Sequence, residues 1–159
     1  MAIMTDYTNG AAFLIASDGT KLDGPVLDGV IVQKCSAHYA GGIALINANL
    51  HLKNSSIIGC GSINGPAIYT QGKVDLLFDS GRIIDSTSYI SGAVYINPSA
   101  NLVFKNVTFE DNIQKFSNSY LEHEWRHSGA AVTVADYNSA PKVNVVMVFE
   151  KCYFYLSSK

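Results

Sequence analysis

Three copies of one short phrase decide how this chain folds: Gly41-Gly42-Ile43-Ala44-Leu45-Ile46-Asn47, Gly65-Pro66-Ala67-Ile68-Tyr69-Thr70-Gln71 and Ser91-Gly92-Ala93-Val94-Tyr95-Ile96-Asn97. A second apolar run follows each copy, at 50–60, 74–86 and 102–112. Ser128-Gly129-Ala130-Ala131-Val132-Thr133-Val134 reads as a fourth copy, and Asn9-Gly10-Ala11-Ala12-Phe13-Leu14-Ile15 as a degenerate early one. Self-similarity at a period of 20–50 residues marks a repeat architecture. Gly42, Gly65, Gly92 and Gly129 stand 23, 27 and 37 residues apart. Two of these spacings suit one solenoid unit, and the third is a unit with about ten residues inserted.

A second ladder keeps the same phase. Val107-x-Phe109-x-x-Asn112 aligns with Ser55-x-Ile57-x-x-Cys60 and with Cys152-x-Phe154-x-x-Ser157, and Val30-x-Val32-x-x-Cys35 and Ile83-x-x-Ser86 fit the same frame. In a stacked coil, equivalent positions lie about 4.8 Å apart across parallel strands, so like side chains stack on like. Two ladders in one phase predict an all-β chain, a parallel β-helix (solenoid) of about five coils.

The local signals agree. Leu50, Leu52 and Ile57 alternate with His51, Lys53 and Asn54, and no window shows a helical period with caps. Turn residues sit at 47–49, 61–64, 71–73 and 97–99. Residues 1–29 read as an irregular first coil or cap, and 30–159 as the coils proper. Residues 114–127 read as a polar insertion that carries the single Trp and two of the four His. Val145-Val146-Met147-Val148-Phe149 is apolar on both faces, which predicts a strand covered on its outer side by the insertion or by a partner.

Composition bounds the function. A chain of 159 residues with 48% hydrophobic and 15% charged residues forms one domain with a sizeable core, and is not disordered. A net charge of −2 and the lack of any Lys/Arg cluster exclude a nucleic-acid surface. No apolar run reaches the 18 or so residues of a membrane-spanning helix. Residues 1–7 lack the pattern of a signal peptide, so either the chain is not secreted by that route or the signal has been removed. Three cysteines argue against a closed disulfide framework. Cys35 and Cys60 share a ladder position, so they read as buried thiols or as a pair within disulfide reach.

Val32-x-x-Cys35-Ser36-Ala37 before Gly41-Gly42-Ile43-Ala44, and Phe109-x-x-Asn112 before Ser128-Gly129-Ala130-Ala131, carry a family resemblance. They resemble the repeats of chlamydial polymorphic outer-membrane proteins and related protist surface proteins. The resemblance implies a right-handed parallel β-helix of the pectate-lyase type, extracellular or on a cell surface, serving as a passenger or adhesin. Cys or Ser often stands where that pattern has Asn, and Pro66 where it has a small residue.

Candidate chemistry is sparse. His123-Glu124-Trp125-Arg126-His127 matches H-E-x-x-H, the zinc-protease motif, but Arg126 and the nearby Gly129 leave little helix to align the two histidines. His123 and His127 are therefore weak metal candidates, and no cofactor is expected. Polysaccharide cleavage, the enzymatic alternative for this fold, would draw on Asp79, Asp85, Glu110 and Asp111 with Arg82. Tyr39, Tyr69, Tyr89 and Tyr95 read first as packing residues and second as stacking platforms for sugars. Asn54-Ser55-Ser56 and Asn106-Val107-Thr108 are glycosylation sequons that also fit the ladder.

Together these readings predict a structural or adhesive module rather than an enzyme. It would bind a protein partner or further copies of itself, as oligomer or filament, through coil ends and the insertion. Tyr120, Trp125 and Arg126 are the expected anchors, because these types dominate binding hot spots. Glycans are the alternative class of ligand.

Overall fold

A computed structural model describes residues 11–17, 24–96, 99–115, 131–134 and 145–155. The strands, in chain order, are Phe13–Ala16 (β1), Val26–Asp28 (β2), Ile31–Gln33 (β3), Ile43–Ile46 (β4), Asn49–Ile58 (β5), Gly61–Ser62 (β6), Ile68–Gln71 (β7), Val74–Ile84 (β8), Thr87–Ser88 (β9), Val94–Ile96 (β10), Ala100–Glu110 (β11), Ile113–Gln114 (β12), Val132–Val134 (β13), Val146–Glu150 (β14) and Tyr153–Tyr155 (β15). There is no helix among the described residues.

Every pairing between these strands is parallel, and each links a strand to its equivalent one turn later. One wall runs β1-β4-β7-β10-β13, a second runs from β2 and β3 through β5, β8 and β11 to β14 and β15, and a third runs β6-β9-β12. The chain is a parallel β-solenoid of about four turns. The expected five coils are one too many. The last round supplies β13, β14 and β15 to two walls, and no described strand follows them on the third.

Strand register fixes the pitch. Ile43 pairs with Ile68 and Ile68 with Val94, steps of 25 and 26 residues, while Val94 pairs with Val132, a step of 38. The Val32, Ile57, Ile83, Phe109, Phe154 ladder holds along its whole length. The glycine ladder does not. Gly42 lies level with Ala67 and Ala93, and Gly65 lies level with Ala40.

The two glycines answer different steric demands. A Cβ on Gly42 would come within 2.5 Å of the Ala67 carbonyl oxygen, so that site needs close backbone approach. Gly65 turns a corner at φ +58°, the left-handed region glycine enters freely.

The core follows from alternation. Leu50, Leu52, Leu76, Phe78, Leu102 and Phe104 point inward from β5, β8 and β11 and are buried, as are Ile43, Leu45, Ile68, Val94 and Ile96 from the facing wall. Phe78 and Phe104 sit in register on neighbouring strands, with ring centroids 6.4 Å apart.

The corners are also ladders. Gly29, Asn54, Ser80, Asn106 and Lys151 all adopt positive φ at equivalent places, and so do Lys34, Gly59, Asp85 and Asp111. A left-handed residue bends the strand without breaking the pairing on either side, and stacking imposes the bend on whichever residue stands there. Next to the Asp111 corner, Asn112 stitches two turns together. Its Oδ1 accepts from the Ser86 amide at 3.1 Å and its Nδ2 donates to the Ile83 carbonyl at 2.8 Å.

Candidate interaction surfaces

Stacking turns each outward position into a column, so surfaces are best read column by column. On the outer face of the β5-β8-β11 wall, Asn49, Asp75 and Asn101 form one column and His51, Leu77 and Val103 a second. Between them runs an open groove of about 420 Å³, floored in part by Leu50 and Leu76 and bounded at one end by Gly24. The His51 Nε2 is buried there without a hydrogen-bond partner. The groove offers amides, an imidazole and a carboxylate beside an apolar strip.

Three of the four tyrosines singled out in the sequence come together. Tyr69 and Tyr95 stack in register, 5.4 Å apart and 6° from parallel, and Tyr39 extends the column at 6.4 Å from Tyr69. His38 meets Tyr39 edge-on at 4.5 Å. Tyr95 is buried and Tyr69 half-buried, so the column serves packing first. Tyr89 is exposed.

The candidate carboxylates divide over separate places. Asp85 and Asp111 stack one turn apart at a corner, with φ of 53° and 49°. Asp79 and Arg82 stand on the outer wall of β8, where Ser80 Oγ donates to Asp79 and Arg82 Nε donates to Ser56 Oγ at 3.3 Å. Among the described residues no three His, Cys, Asp or Glu side chains form a group able to hold a metal ion. The three thiols are free. Burial, foremost, pushes the Cys60 thiol up from 9.0 to about 11.

Sequence reading missed a column of charge. In register along the second wall lie Asp28, Lys53, Asp79, Lys105 and Glu150, alternating in sign at every step. Lys105 Nζ comes within 3.5 Å of Glu150 Oε2. The signal was present as charged residues at spacings of 25, 26, 26 and 45, visible only once the pitch is known.

The last rung stands apart from the inner ones. Val146–Glu150, the strand expected to be covered by the insertion or by a partner, is exposed along its whole length, and most of the insertion lies outside the described residues. Core-facing Phe149 and Phe154 stack on Phe104 and Phe109 at 5.3 and 4.8 Å, yet are 39% and 50% exposed. In the first turn the equivalent Val32 is 3% exposed. No described strand lies beyond β14 and β15, and their inward residues are open to solvent, whereas Val32 is buried although β3 likewise pairs only with β5.

Gln114, the first residue assigned to the insertion, still belongs to β12, and its Nε2 donates to the Ile90 carbonyl at 2.7 Å. Tyr120, Trp125 and Arg126, and the weak metal candidates His123 and His127, lie outside the described residues.

Comparison with protein-family models, with curated proteins and with solved structures gave no match. No helix among the described residues is long and apolar enough to cross a membrane.

Proposed function

We propose that this chain is a non-enzymatic structural or adhesive β-helix module of a surface or extracellular assembly. It works by presenting stacked surfaces, above all its end rungs, to a protein partner or to further copies. The observation that carries this reading is the last rung, where β14 and β15 expose Val146, Val148, Tyr153 and Tyr155 on the outer side and Phe149 and Phe154 on the core-facing side. A contiguous apolar surface of this kind, on a strand with an open edge, is a contact face. The surface or extracellular setting rests on the resemblance to polymorphic outer-membrane protein repeats. Residues 114–127 are a second contact region in this reading, anchored by Tyr120, Trp125 and Arg126.

The test is light-scattering size across a concentration series, with negative-stain imaging of the same samples. Growth with concentration, or filaments, supports the reading, whereas a monomer at every concentration removes the end faces from it. Replacing Trp125 by Ala is expected to leave the fold intact and weaken association. Unfolding of that variant would place Trp125 in the core instead.

A second reading, glycan binding, is favoured by the groove between the Asn49-Asp75-Asn101 and His51-Leu77-Val103 columns. Amide and carboxylate groups beside an apolar strip suit a sugar's hydroxyls and its apolar face. Saccharide-array binding that is lost in Asp75→Ala would favour it, and silence across a broad array would remove it.

A further inference from the structure

Resting on the reading of the end rungs as contact faces, we propose that they are two halves of one joint. Copies of this chain stack head to tail, with β14 and β15 of one on β2 and β3 of the next. Glu150 facing Asp28 across the joint sets its strength.

The shapes of the two edges match. Among the described residues β2 and β3 pair with β5, and β14 and β15 pair with β11, leaving the outer edge of each rung unpaired. Each rung consists of two arms joined through one left-handed residue, Gly29 at φ 67° and Lys151 at φ 53°. Asp28 and Ile31 flank the first bend as Glu150 and Tyr153 flank the second. Both arms can therefore pair at once in a parallel ladder, as they do at every internal step.

The side chains match too, with one exception. Continuing the register by one rung sets Val148 on Val26, Phe149 on Leu27, Tyr153 on Ile31 and Phe154 on Val32. Each is an apolar pair. Phe149 on Leu27 and Phe154 on Val32 extend columns that are apolar inside the molecule, although Val32 is already buried, whereas Tyr153 and Ile31 bracket the polar column Ser56, Arg82 and Thr108. This agreement selects a second copy as the occupant.

The exception is the charge column. Within the chain every step joins opposite signs, from Asp28 to Lys53, Asp79, Lys105 and Glu150. At the joint the order breaks, and Glu150 meets Asp28 of the next copy. Lys105 faces Glu150 at 3.5 Å from its own side, with Lys151 next in sequence. Asp28 has Lys53 in register and accepts from Asn54 Nδ2 at 2.9 Å. Like charges directly opposite on neighbouring strands destabilise by about as much as unlike charges stabilise. The apolar columns drive stacking, and this one position opposes it.

A charge cycle tests the idea: the unaltered chain, Glu150→Lys, Asp28→Lys and the double variant, each sized by sedimentation over a concentration series at low salt. Far-UV circular dichroism and thermal melts of all four establish that they are folded. Each single reversal sets unlike charges across the joint and should raise the association constant about tenfold. The double variant sets two cations face to face and should fall back toward the unaltered chain. High salt should shrink all of these differences. If the four chains assemble with one shared constant, the joint lies elsewhere, and the inference fails while the self-associating module stands. A discrete dimer indifferent to residue 28 would overturn it in favour of tail-to-tail pairing. Four folded monomers at every concentration would overturn both the joint and the reading of the ends as contact faces.

Discussion

Phe149 lies face to face on Phe104, ring centroids 5.3 Å apart and planes 9° from parallel, yet Phe104 is fully buried while Phe149 is 39% exposed. The same contact thus joins a core residue to an end residue. Phe104→Ala opens a void between two turns and should cost about 3–5 kcal/mol in urea unfolding. Phe149→Ala removes surface that water already reaches in part, and should cost about 1–2 kcal/mol. Equal costs would mean that the last rung is as enclosed as its neighbour.

Thr70 stands in an inward column between Leu45 and Ile96, fully buried, and its Oγ1 has no hydrogen-bond partner. An unsatisfied buried hydroxyl costs about 1–3 kcal/mol, and valine fills the same shape without it. Thr70→Val should therefore raise stability by about 1 kcal/mol, read as a higher melting temperature. A loss of stability would reveal a partner for that hydroxyl.

Asn112 serves two buried backbone groups at once, the Ser86 amide and the Ile83 carbonyl. Asn112→Ala leaves both unsatisfied and should cost about 2–4 kcal/mol in denaturant unfolding. Asn112→Ser, which restores the residue type found one turn earlier at position 86, should recover part of that loss. No recovery would show that the amide's length, not its polarity, is what this corner requires.

Cys60 holds its proton to about pH 11 in the folded chain, against 9.0 as the ordinary value, because burial disfavours the thiolate. The raised value means that the folded state keeps a proton the unfolded state has already released. Its contribution to stability is full below pH 9.0 and lost as pH rises through about 11. The unfolding free energy of the native chain should therefore fall relative to Cys60→Ala over that window. The thiolate is also the reactive form, so alkylation of the folded chain should reach Cys35 and Cys152 before Cys60. Equal labelling rates would show that the corner at Gly59, beside Cys60, opens readily.

Much of the architecture was legible because stacking repeats residue types, and the Val32, Ile57, Ile83, Phe109, Phe154 column could be aligned by eye. The glycine ladder misled by up to two places because glycine meets two unrelated needs here, close approach at Gly42 and a left-handed corner at Gly65. The other corners were invisible for a related reason. Lys34, Ala40, Ser80 and Lys151 have no preference for positive φ, and neighbouring turns impose it on them. Of the candidate site residues, the tyrosines proved partly gathered and the carboxylates divided. Apolarity on both faces of Val146–Glu150 marked a strand in need of cover, but it describes a sandwiched strand and a terminal one equally well.

The uneven pitch also gives the chain an order of assembly. Between adjacent turns from β4 through β11 the paired residues are 25 or 26 apart in sequence, whereas Leu102 and Met147 are 45 apart. Closing the longer loop costs about 0.5 kcal/mol more in chain entropy, for a rung that then buries only one side. The middle turns can nucleate on any neighbouring pair and grow outward, as in other one-dimensional repeats. The C-terminal rung is therefore expected to join last and open first, so that in the proposed assembly the surface offered to a partner would be the one that folds onto the rod latest.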